Sequence, residues 1–265
     1  MRLGCCVSPE RLPVLAAAGG EYAEFTVARA VMGGDDAAFD RLVALVAAAH
    51  VKPEAYNVLL PGDLVVVGPA VDRARLQAYI ATAFARIARL TGPGAIVVFG
   101  SGRARSIPAG FPREAALDQL AEFLGWLGPL AAQHGITLAI EPLRGAESNV
   151  FNTVGEVGSF IVERKLAAVY LLADLYHMME QGEPLSAIAD HGDLIVHSHT
   201  ADSGRFAPGS GDYPQAAFFA RLRAHTRCDR CSIECTWRDF EHELTPALRA
   251  LESALGDPDT GELMW

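Results

Sequence analysis

The 265-residue sequence lacks any apolar stretch long enough to cross a bilayer, and its longest runs, such as Ala95–Phe99, are short. A membrane-spanning helix needs about 20 consecutive apolar residues. The first residues, MRLGCCVSPE, also lack the apolar run that a secretory signal requires. We therefore expect a cytoplasmic protein with no membrane partner.

Positive charge is also in short supply. The chain has 22 Lys and Arg against 32 Asp and Glu, which gives a formal net charge of −10. Such an excess of negative charge repels phosphate backbones, so we expect no nucleic-acid partner. With 51% hydrophobic residues the chain is too apolar for a disordered protein, and it is long enough to bury a large core.

Cysteine is scarce, with five residues in the chain: Cys5, Cys6, Cys228, Cys231 and Cys235. An odd number of cysteines without a secretory signal favours reduced thiols over disulfide bonds. Cys228 and Cys231 have C-x-x-C spacing, but a structural zinc site usually takes two such pairs and the sequence has no second one. We interpret them as ordinary thiols at the start of a strand.

What the sequence does contain is a regular alternation of short apolar runs and amphipathic segments. Runs that are apolar nearly throughout are typical of parallel strands covered on both faces. Eight are present, at Leu3–Val7, Tyr22–Val27, Pro53–Leu59, Ala95–Phe99, Thr137–Ile140, Val169–Ala173, Leu194–His197 and Ser232–Ile233. Helical patterns lie at Asp36–His50, Asp72–Leu90, Arg113–His134, Thr153–Leu166, Gln215–Ala224 and Glu241–Leu255.

Eight strand–helix units of roughly 33 residues match the size of a (β/α)8 TIM barrel. The alternative is a doubly wound open sheet, which more often carries a glycine fingerprint after its first strand. The segment CVSPERLP has no such fingerprint, and no linker or repeat interrupts the pattern. We therefore predict an α/β fold, a (β/α)8 TIM barrel, as a single domain over residues 1–265.

Four consecutive strands in the second half of the chain end in a side chain that can bind a metal ion. These residues are Glu141, Asp174, His199 and Glu234. In a TIM barrel the C-terminal ends of the strands form the face that carries the active site, so the four side chains should converge. Three carboxylates and one imidazole suit Mn²⁺, Mg²⁺ or Co²⁺ better than a structural zinc. His197 shares a strand face with His199, so it is either a packing residue or a support for that ligand.

At these residues the sequence resembles the xylose isomerase-like TIM barrels of the sugar phosphate isomerase/epimerase superfamily, and within it the D-tagatose and D-psicose 3-epimerase group. At strands five and six the motifs are Glu141-Pro-Leu with Glu147 and Asn149, and Asp174-Leu-Tyr-His177-Met. At strands seven and eight they are His199-Thr-Ala-Asp-Ser-Gly-Arg205 with Pro208-Gly and Gly211-Asp212, and Ser232-Ile-Glu234. Two further motifs lie upstream, Asn57-Val-Leu-Leu-Pro61 and Phe99-Gly-Ser-Gly102. One departure is Arg144-Gly145, where the group usually has Asn-Arg. The substrate therefore stays open between a ketose, a sugar phosphate, an inosose and another polyol ketone.

The resemblance implies a role for each position. Glu141, Asp174, His199 and Glu234 would bind a divalent metal ion, with Mn²⁺ expected first and Mg²⁺, Co²⁺ or Zn²⁺ as alternatives. Glu141 and Glu234 would also be the catalytic acid/base pair, and Glu147, His177 and Arg205 would bind the sugar. The implied enzyme is an isomerase that epimerises a sugar or sugar phosphate by proton transfer next to a carbonyl, through a metal-bound enediolate. The resemblance also implies a homo-oligomer, and Trp237, Phe240 and Trp265 are candidate exposed aromatic residues.

Three alternatives remain open from the sequence. The same barrel and acid/base pair would serve a dehydratase of the inosose or dehydroshikimate type, if the substrate carries a leaving group beta to the enediolate. A DNA-repair enzyme of the endonuclease IV type shares the barrel, but it uses more metal ligands and the net charge of −10 opposes DNA binding. A barrel that only binds a sugar is disfavoured, because both carboxylates of the acid/base pair are present.

Overall fold

The computed structural model describes residues 1–256, which form a closed barrel of eight parallel strands. The strands are β1 (Arg2–Cys6), β2 (Tyr22–Thr26), β3 (Pro53–Asn57), β4 (Ile96–Phe99), β5 (Thr137–Ile140), β6 (Val169–Asp174), β7 (Ile195–Thr200) and β8 (Arg230–Ile233). Each strand pairs with the next one along the chain, and β8 pairs with β1 to close the ring. The predicted TIM barrel is confirmed.

Helices connect the strands and cover the outside of the barrel. They are α1 (Leu12–Ala17), α2 (Asp36–Ala48), α3 (Arg73–Leu90), α4 (Gly102–Arg105), α5 (Arg113–Gln133), α6 (Val154–Glu163), α7 (Leu175–Gln181), α8 (Ala187–Asp190), α9 (Gln215–His225) and α10 (Phe240–Gly256). Each of the six predicted helices is present, with its ends shifted by a few residues at most. Among residues 1–256, no helix combines the length and apolar character needed to cross a membrane.

Side-chain caps fix the starts of three helices that follow loops of the C-terminal face. Asp35 accepts the Ala38 N–H at 2.8 Å before α2, and Asp72 accepts the Arg75 N–H at 3.0 Å before α3. Thr153 does the same for the first turn of α6. Each such cap satisfies a backbone N–H with no partner inside the helix and stabilises the fold by about 1 kcal/mol. The loops around the barrel mouth therefore end at fixed points.

The inside of the barrel is filled in layers. Apolar side chains lie toward the N-terminal ends of the strands, and polar side chains lie toward the C-terminal ends. A small buried cluster contains Tyr22, Ala55, Ile96, Val98, Ala139 and Leu172. The Tyr22 ring occupies the space that a side chain on Gly4 would need. Because side chains alternate along a strand, Glu24 follows Tyr22 on the inner face of β2, one layer nearer the mouth. The interior thus changes from apolar to charged toward the C-terminal ends of the strands.

The prediction that Trp237 and Phe240 are exposed is wrong. Phe240 is buried at the start of α10, with the Trp237 ring packed edge-on against it at 5.2 Å. The Arg11 guanidinium covers the Phe240 ring, 4.2 Å from its centre. Trp237 is half-buried. Burial of Phe240 in the core and its contact with Arg11 therefore attach the start of α10 to the barrel. Trp265 lies outside the described residues.

All five cysteines are free thiols, and Cys5, Cys228 and Cys231 are buried. Burial in apolar surroundings raises the pKa of each of these three thiols above its ordinary value. Neutral, buried thiols are poor nucleophiles and poor metal ligands. The C-x-x-C pair is therefore part of the packing at β8, as the sequence indicated.

Candidate active site and metal centre

The four predicted metal ligands meet at the C-terminal face of the barrel. Glu141 directly follows β5, Asp174 ends β6, His199 lies near the end of β7 and Glu234 directly follows β8. One ligand atom from each residue lies within 4.8 Å of the other three. The Nδ1 atom of His199 is 3.1 Å from Glu141 Oε1, 3.5 Å from Glu234 Oε2 and 3.9 Å from Asp174 Oδ2.

The chemistry of this cluster fits a hard divalent cation. Glu141, Asp174 and His199 are buried, and the Glu234 side chain is 17% exposed. Three carboxylates held this close together out of water repel one another unless positive charge lies between them. Three oxygen donors and one imidazole nitrogen are the ligands that Mn²⁺ and similar ions accept. These four residues would therefore hold such an ion.

The two glutamates of the cluster experience different surroundings. Burial and the negative charge of Glu234 raise the pKa of Glu141 above its ordinary value. Burial opposes ionisation of Glu234 as well, but the positive charges of His199 and Arg205 hold its pKa below its ordinary value. Asn57 Nδ2 adds a hydrogen bond to Glu234 Oε1 at 2.7 Å. The two carboxyl groups therefore differ in their affinity for a proton.

Arg205 and Glu147, two of the predicted sugar-binding residues, border the cluster. Arg205 donates one hydrogen bond to Glu147 Oε1 at 3.0 Å and another to Glu234 Oε2 at 2.9 Å. Arg144, the residue at which the motif departs from the epimerase group, also donates to Glu147 at 2.9 Å. Both guanidinium groups lie about 5 Å from the centre of the Tyr176 ring, at 5.2 Å for Arg144 and 5.1 Å for Arg205. Arg144 is thus part of the wall of the site.

His177, the third predicted sugar-binding residue, presents an unpaired N–H to the site. Its Nδ1 accepts the backbone N–H of Arg144 at 3.2 Å, which places the hydrogen of a neutral ring on Nε2. That Nε2 is buried, 3.8 Å from Asp174 Oδ2 and 4.0 Å from Glu141 Oε1, and has no hydrogen-bond partner among the described residues. A buried donor without a partner is costly, so the geometry suits a ligand oxygen at this point.

Glu24 is a buried residue of the site that the sequence analysis missed. Its carboxylate accepts hydrogen bonds from His197 Nε2 at 2.8 Å, His199 Nε2 at 2.9 Å and Ser232 Oγ at 2.6 Å. Burial opposes its ionisation, but the two imidazoles hold the pKa of Glu24 well below its ordinary value. Because His199 Nε2 faces Glu24, its Nδ1 is turned toward the metal ligands. The available signal was a lone acidic residue inside the apolar run YAEFT, away from the strand ends.

Glu24 also belongs to a second group of potential metal ligands, with Cys6 and His199. Both of its carboxylate oxygens already bind imidazole N–H groups, and burial raises the pKa of the Cys6 thiol. A neutral thiol is a weak ligand. We therefore interpret Glu24 as the support of His199 and not as a ligand in its own right.

We expect Glu24→Gln to lower the affinity for Mn²⁺ about 10- to 100-fold, as measured by titration calorimetry. A glutamine amide offers one acceptor oxygen, so one of the two histidines must rotate or change tautomer. Glu54→Gln is the matched control, because Glu54 lies at the opposite end of the barrel and binds Arg2 and Arg230. Equal affinities for Glu24→Gln and Glu54→Gln would contradict this role of Glu24.

A closed parallel barrel with polar residues gathered at the ends of its strands defines the class, a TIM barrel with its site at the C-terminal face. The sequence matches the xylose isomerase-like TIM barrel family over residues 12–255. The chain belongs to this family, as its motifs indicated.

Relatives within the family are sugar epimerases. A 3-dehydro-D-guloside 4-epimerase of Escherichia coli (strain K12) is 32% identical over 165 residues, which cover 60% of this chain and 63% of that protein. An L-ribulose 3-epimerase of Methylomonas sp. (strain DH-1) is 31% identical over 145 residues, or 49% of this chain and 48% of that protein. Both matches span less than two thirds of the relative's length.

The fold is shared with a D-psicose 3-epimerase whose crystal structure was determined in the presence of D-fructose. The superposition has a TM-score of 0.84 and covers 97% of this chain and 100% of that one. At 19% sequence identity this likeness concerns the fold alone.

Proposed function

We propose that the protein is a divalent-metal-dependent epimerase of the isomerase class, acting on a keto sugar by proton transfer at the carbon beside the carbonyl. The observation that carries the proposal is the convergence of Glu141 and Glu234 on one ligand cluster with Asp174 and His199. The strands that present the two glutamates, β5 and β8, lie three positions apart in the ring of eight. The two carboxylates therefore approach the centre of the mouth from different sides.

Inversion at a carbon beside a carbonyl needs a base on one face and an acid on the other. Glu141 and Glu234 supply this pair, one removing a proton and the other returning one, and they exchange roles in the reverse direction. The relatives named for 3-dehydro-D-guloside and L-ribulose support a keto sugar as the substrate class. In this proposal the reacting carbon lies between the two carboxyl groups, and the negative charge that develops is on the sugar oxygens.

The remaining polar groups of the site bind the sugar. His177 Nε2–H is an unpaired donor, and Arg205 places a charged donor beside Glu234. Such donors bind hydroxyl groups and stabilise negative charge on an oxygen. Glu147 fixes Arg205 from the other side. A divalent cation, which we propose to be Mn²⁺ with Mg²⁺, Co²⁺ and Zn²⁺ as alternatives, supplies Lewis-acid polarisation of the sugar oxygens when bound.

The proposal is tested with a panel of ketoses, keto-glycosides, inososes and sugar phosphates, each incubated with the Mn²⁺-loaded protein. Chromatography and mass spectrometry separate the outcomes. An epimerase yields a stereoisomer of unchanged mass, which is the expected result. A product that has lost one water would establish the dehydratase alternative instead, and conversion by a metal-free preparation would overturn the metal requirement.

We expect Gly100→Ala to lower turnover about 100-fold, because a displacement of about 1 Å in a catalytic group can cost that much. A Cβ atom at position 100 would overlap the Glu141 carboxylate. Gly125→Ala in α5 is the control, since the nearest atom to its added Cβ is in Leu166 at 3.9 Å. Thermal unfolding shows whether the fold is intact in both variants. Unchanged turnover in a folded Gly100→Ala protein would contradict the proposed role of Glu141.

We also propose a homo-oligomer that acts in the cytoplasm and binds no nucleic acid. The support comes from the family resemblance and from the net charge of −10. Light scattering of the purified protein measures the association, and a monomer at working concentration would overturn it.

A further inference from the structure

A cavity adjoins the candidate site at the C-terminal ends of the first three strands. It has a volume of about 830 Å³, and Glu234 and Asn57 are part of its wall. Its other side is formed by the segment that follows β2 and by α2. Because Glu234 belongs to both, the cavity directly adjoins the predicted metal ligands. The cavity is within the size range of sites for whole drug-sized ligands.

Part of the cavity wall is formed by exposed large apolar side chains, which are rare in this protein. Three large apolar side chains are exposed within residues 1–256, namely Leu45, Val58 and Val162. Two of the three, Leu45 at 39% and Val58 at 38% exposure, line this cavity. Val58 also has a φ of 47°, a strained backbone conformation for a β-branched residue. Residues with such strain cluster at functional sites.

The cavity also presents two arginines without partners. Arg29 and Arg41 line it, are exposed, and form no hydrogen bond or ion pair through their guanidinium groups within the described chain. Arg11, the third arginine of the wall, is engaged with the Phe240 ring. Free positive charge beside a catalytic cleft is notable in a chain of net charge −10. Arg29 lies on a π-helical turn, Val27–Val31, a feature frequent at functional sites.

Not every charge in the cavity is positive, because Glu10 and Glu234 also line it. Glu234 is already bound by Arg205 and Asn57 on the side of the metal ligands. Glu10 is exposed and forms no hydrogen bond or ion pair within the described chain. The free charges of the cavity wall are therefore Arg29, Arg41 and Glu10, with an excess of one positive charge for a ligand that enters from the site.

We propose that the substrate carries a substituent beyond its reacting sugar ring, and that this substituent occupies the cavity with an apolar face on Leu45 and Val58 and an anionic group on Arg29 and Arg41. The inference rests on the proposed function, since it places the reacting ring at Glu234. The anionic group is a carboxylate or a phosphate, both of which guanidinium groups bind well. The cavity thus selects a substituted keto sugar over a free ketose.

The test is titration calorimetry of the Mn²⁺-loaded protein with four β-D-glucopyranosides that contain no ketone and therefore bind without turnover. Their aglycones are phenyl, 4-aminophenyl, 4-carboxyphenyl and 4-(phosphonooxy)phenyl. We expect the two anionic probes to bind about tenfold more tightly than the phenyl probe, the size expected for one charge-assisted hydrogen bond. The tighter of the two identifies the preferred anion. The preference should shrink at high salt, because exposed charges are screened.

The variant Arg29→Met with Arg41→Met should remove the preference for the anionic probes and leave phenyl binding intact. Leu45→Ser should weaken binding of all four probes. Arg249→Met is the control, because Arg249 is exposed on α10 and does not line the cavity. Equal affinities for all four probes, or the same loss in Arg249→Met, would overturn the inference. Because no turnover is measured, this result is independent of whether the protein is an epimerase.

Discussion

Replacing Glu141 or Glu234 by glutamine is expected to lower kcat by at least 10²–10⁴-fold, the contribution of a general acid–base step. Glutamine keeps the shape of the side chain but cannot remove or return a proton. The expected loss is in kcat, because the proposed function assigns binding of the sugar mainly to His177, Arg205 and the cation. Steady-state kinetics with the sugar identified from the substrate panel measure both kcat and KM.

The same variants need a measurement of bound metal, because both glutamates also belong to the ligand cluster. Metal analysis at saturating Mn²⁺ separates loss of the ion from loss of proton transfer. The double variant should lose little more than either single variant, since residues that act as one unit are not additive. A single variant with full metal content and kcat within tenfold of the unaltered protein would contradict the acid/base assignment.

Removal of the metal ion is expected to abolish turnover, and addition of Mn²⁺ is expected to restore it. Without a cation, three carboxylates of the cluster repel one another in a buried site. Metal binding should therefore also raise the unfolding temperature. An ion present at 100 times its Kd adds about 2.7 kcal/mol to the stability of the folded state. Calorimetry with and without Mn²⁺ measures this shift without any assay of activity.

Asp174→Ala is the matched variant for the metal experiment. Asp174 Oδ1 also accepts the Tyr176 N–H at 2.7 Å at the start of α7, so the variant should unfold at a lower temperature with or without metal. The quantity to compare is the increase that Mn²⁺ produces, which should nearly vanish in Asp174→Ala. A metal-free preparation with full turnover would end the metal hypothesis.

The strands and the ligand cluster were accessible from the sequence because both follow from local pattern. Buried parallel strands are apolar along their length, so a polar residue at the end of such a run is conspicuous. Glu141, Asp174 and Glu234 are cases of this kind. His199 lies inside β7, which continues to Thr200, three residues beyond the apolar run Leu194–His197. The run His-Ser-His-Thr departs from the apolar pattern because His197 and His199 face the polar interior of the barrel, whereas Thr200 bonds to Gln215 of α9 on the outside.

Contacts that fix the site across the barrel were not accessible from the sequence. Glu24 and His199 are 175 residues apart, and Asn57 and Glu234 are 177 residues apart. No local periodicity links such positions, and closure of the ring is what makes β1 and β8 neighbours. The unpaired Nε2 of His177 likewise depends on the Arg144 backbone, which only the folded chain brings to it.

The most direct test of the account is proton exchange between solvent and substrate. The Mn²⁺-loaded protein is incubated in D2O with the keto sugar that it converts, and NMR locates the deuterium. Proton transfer by Glu141 and Glu234 predicts deuterium at the single carbon beside the carbonyl whose configuration inverts, at a rate comparable with product formation. Both glutamine variants should show no exchange. Inversion without deuterium at that carbon would contradict the proposed mechanism.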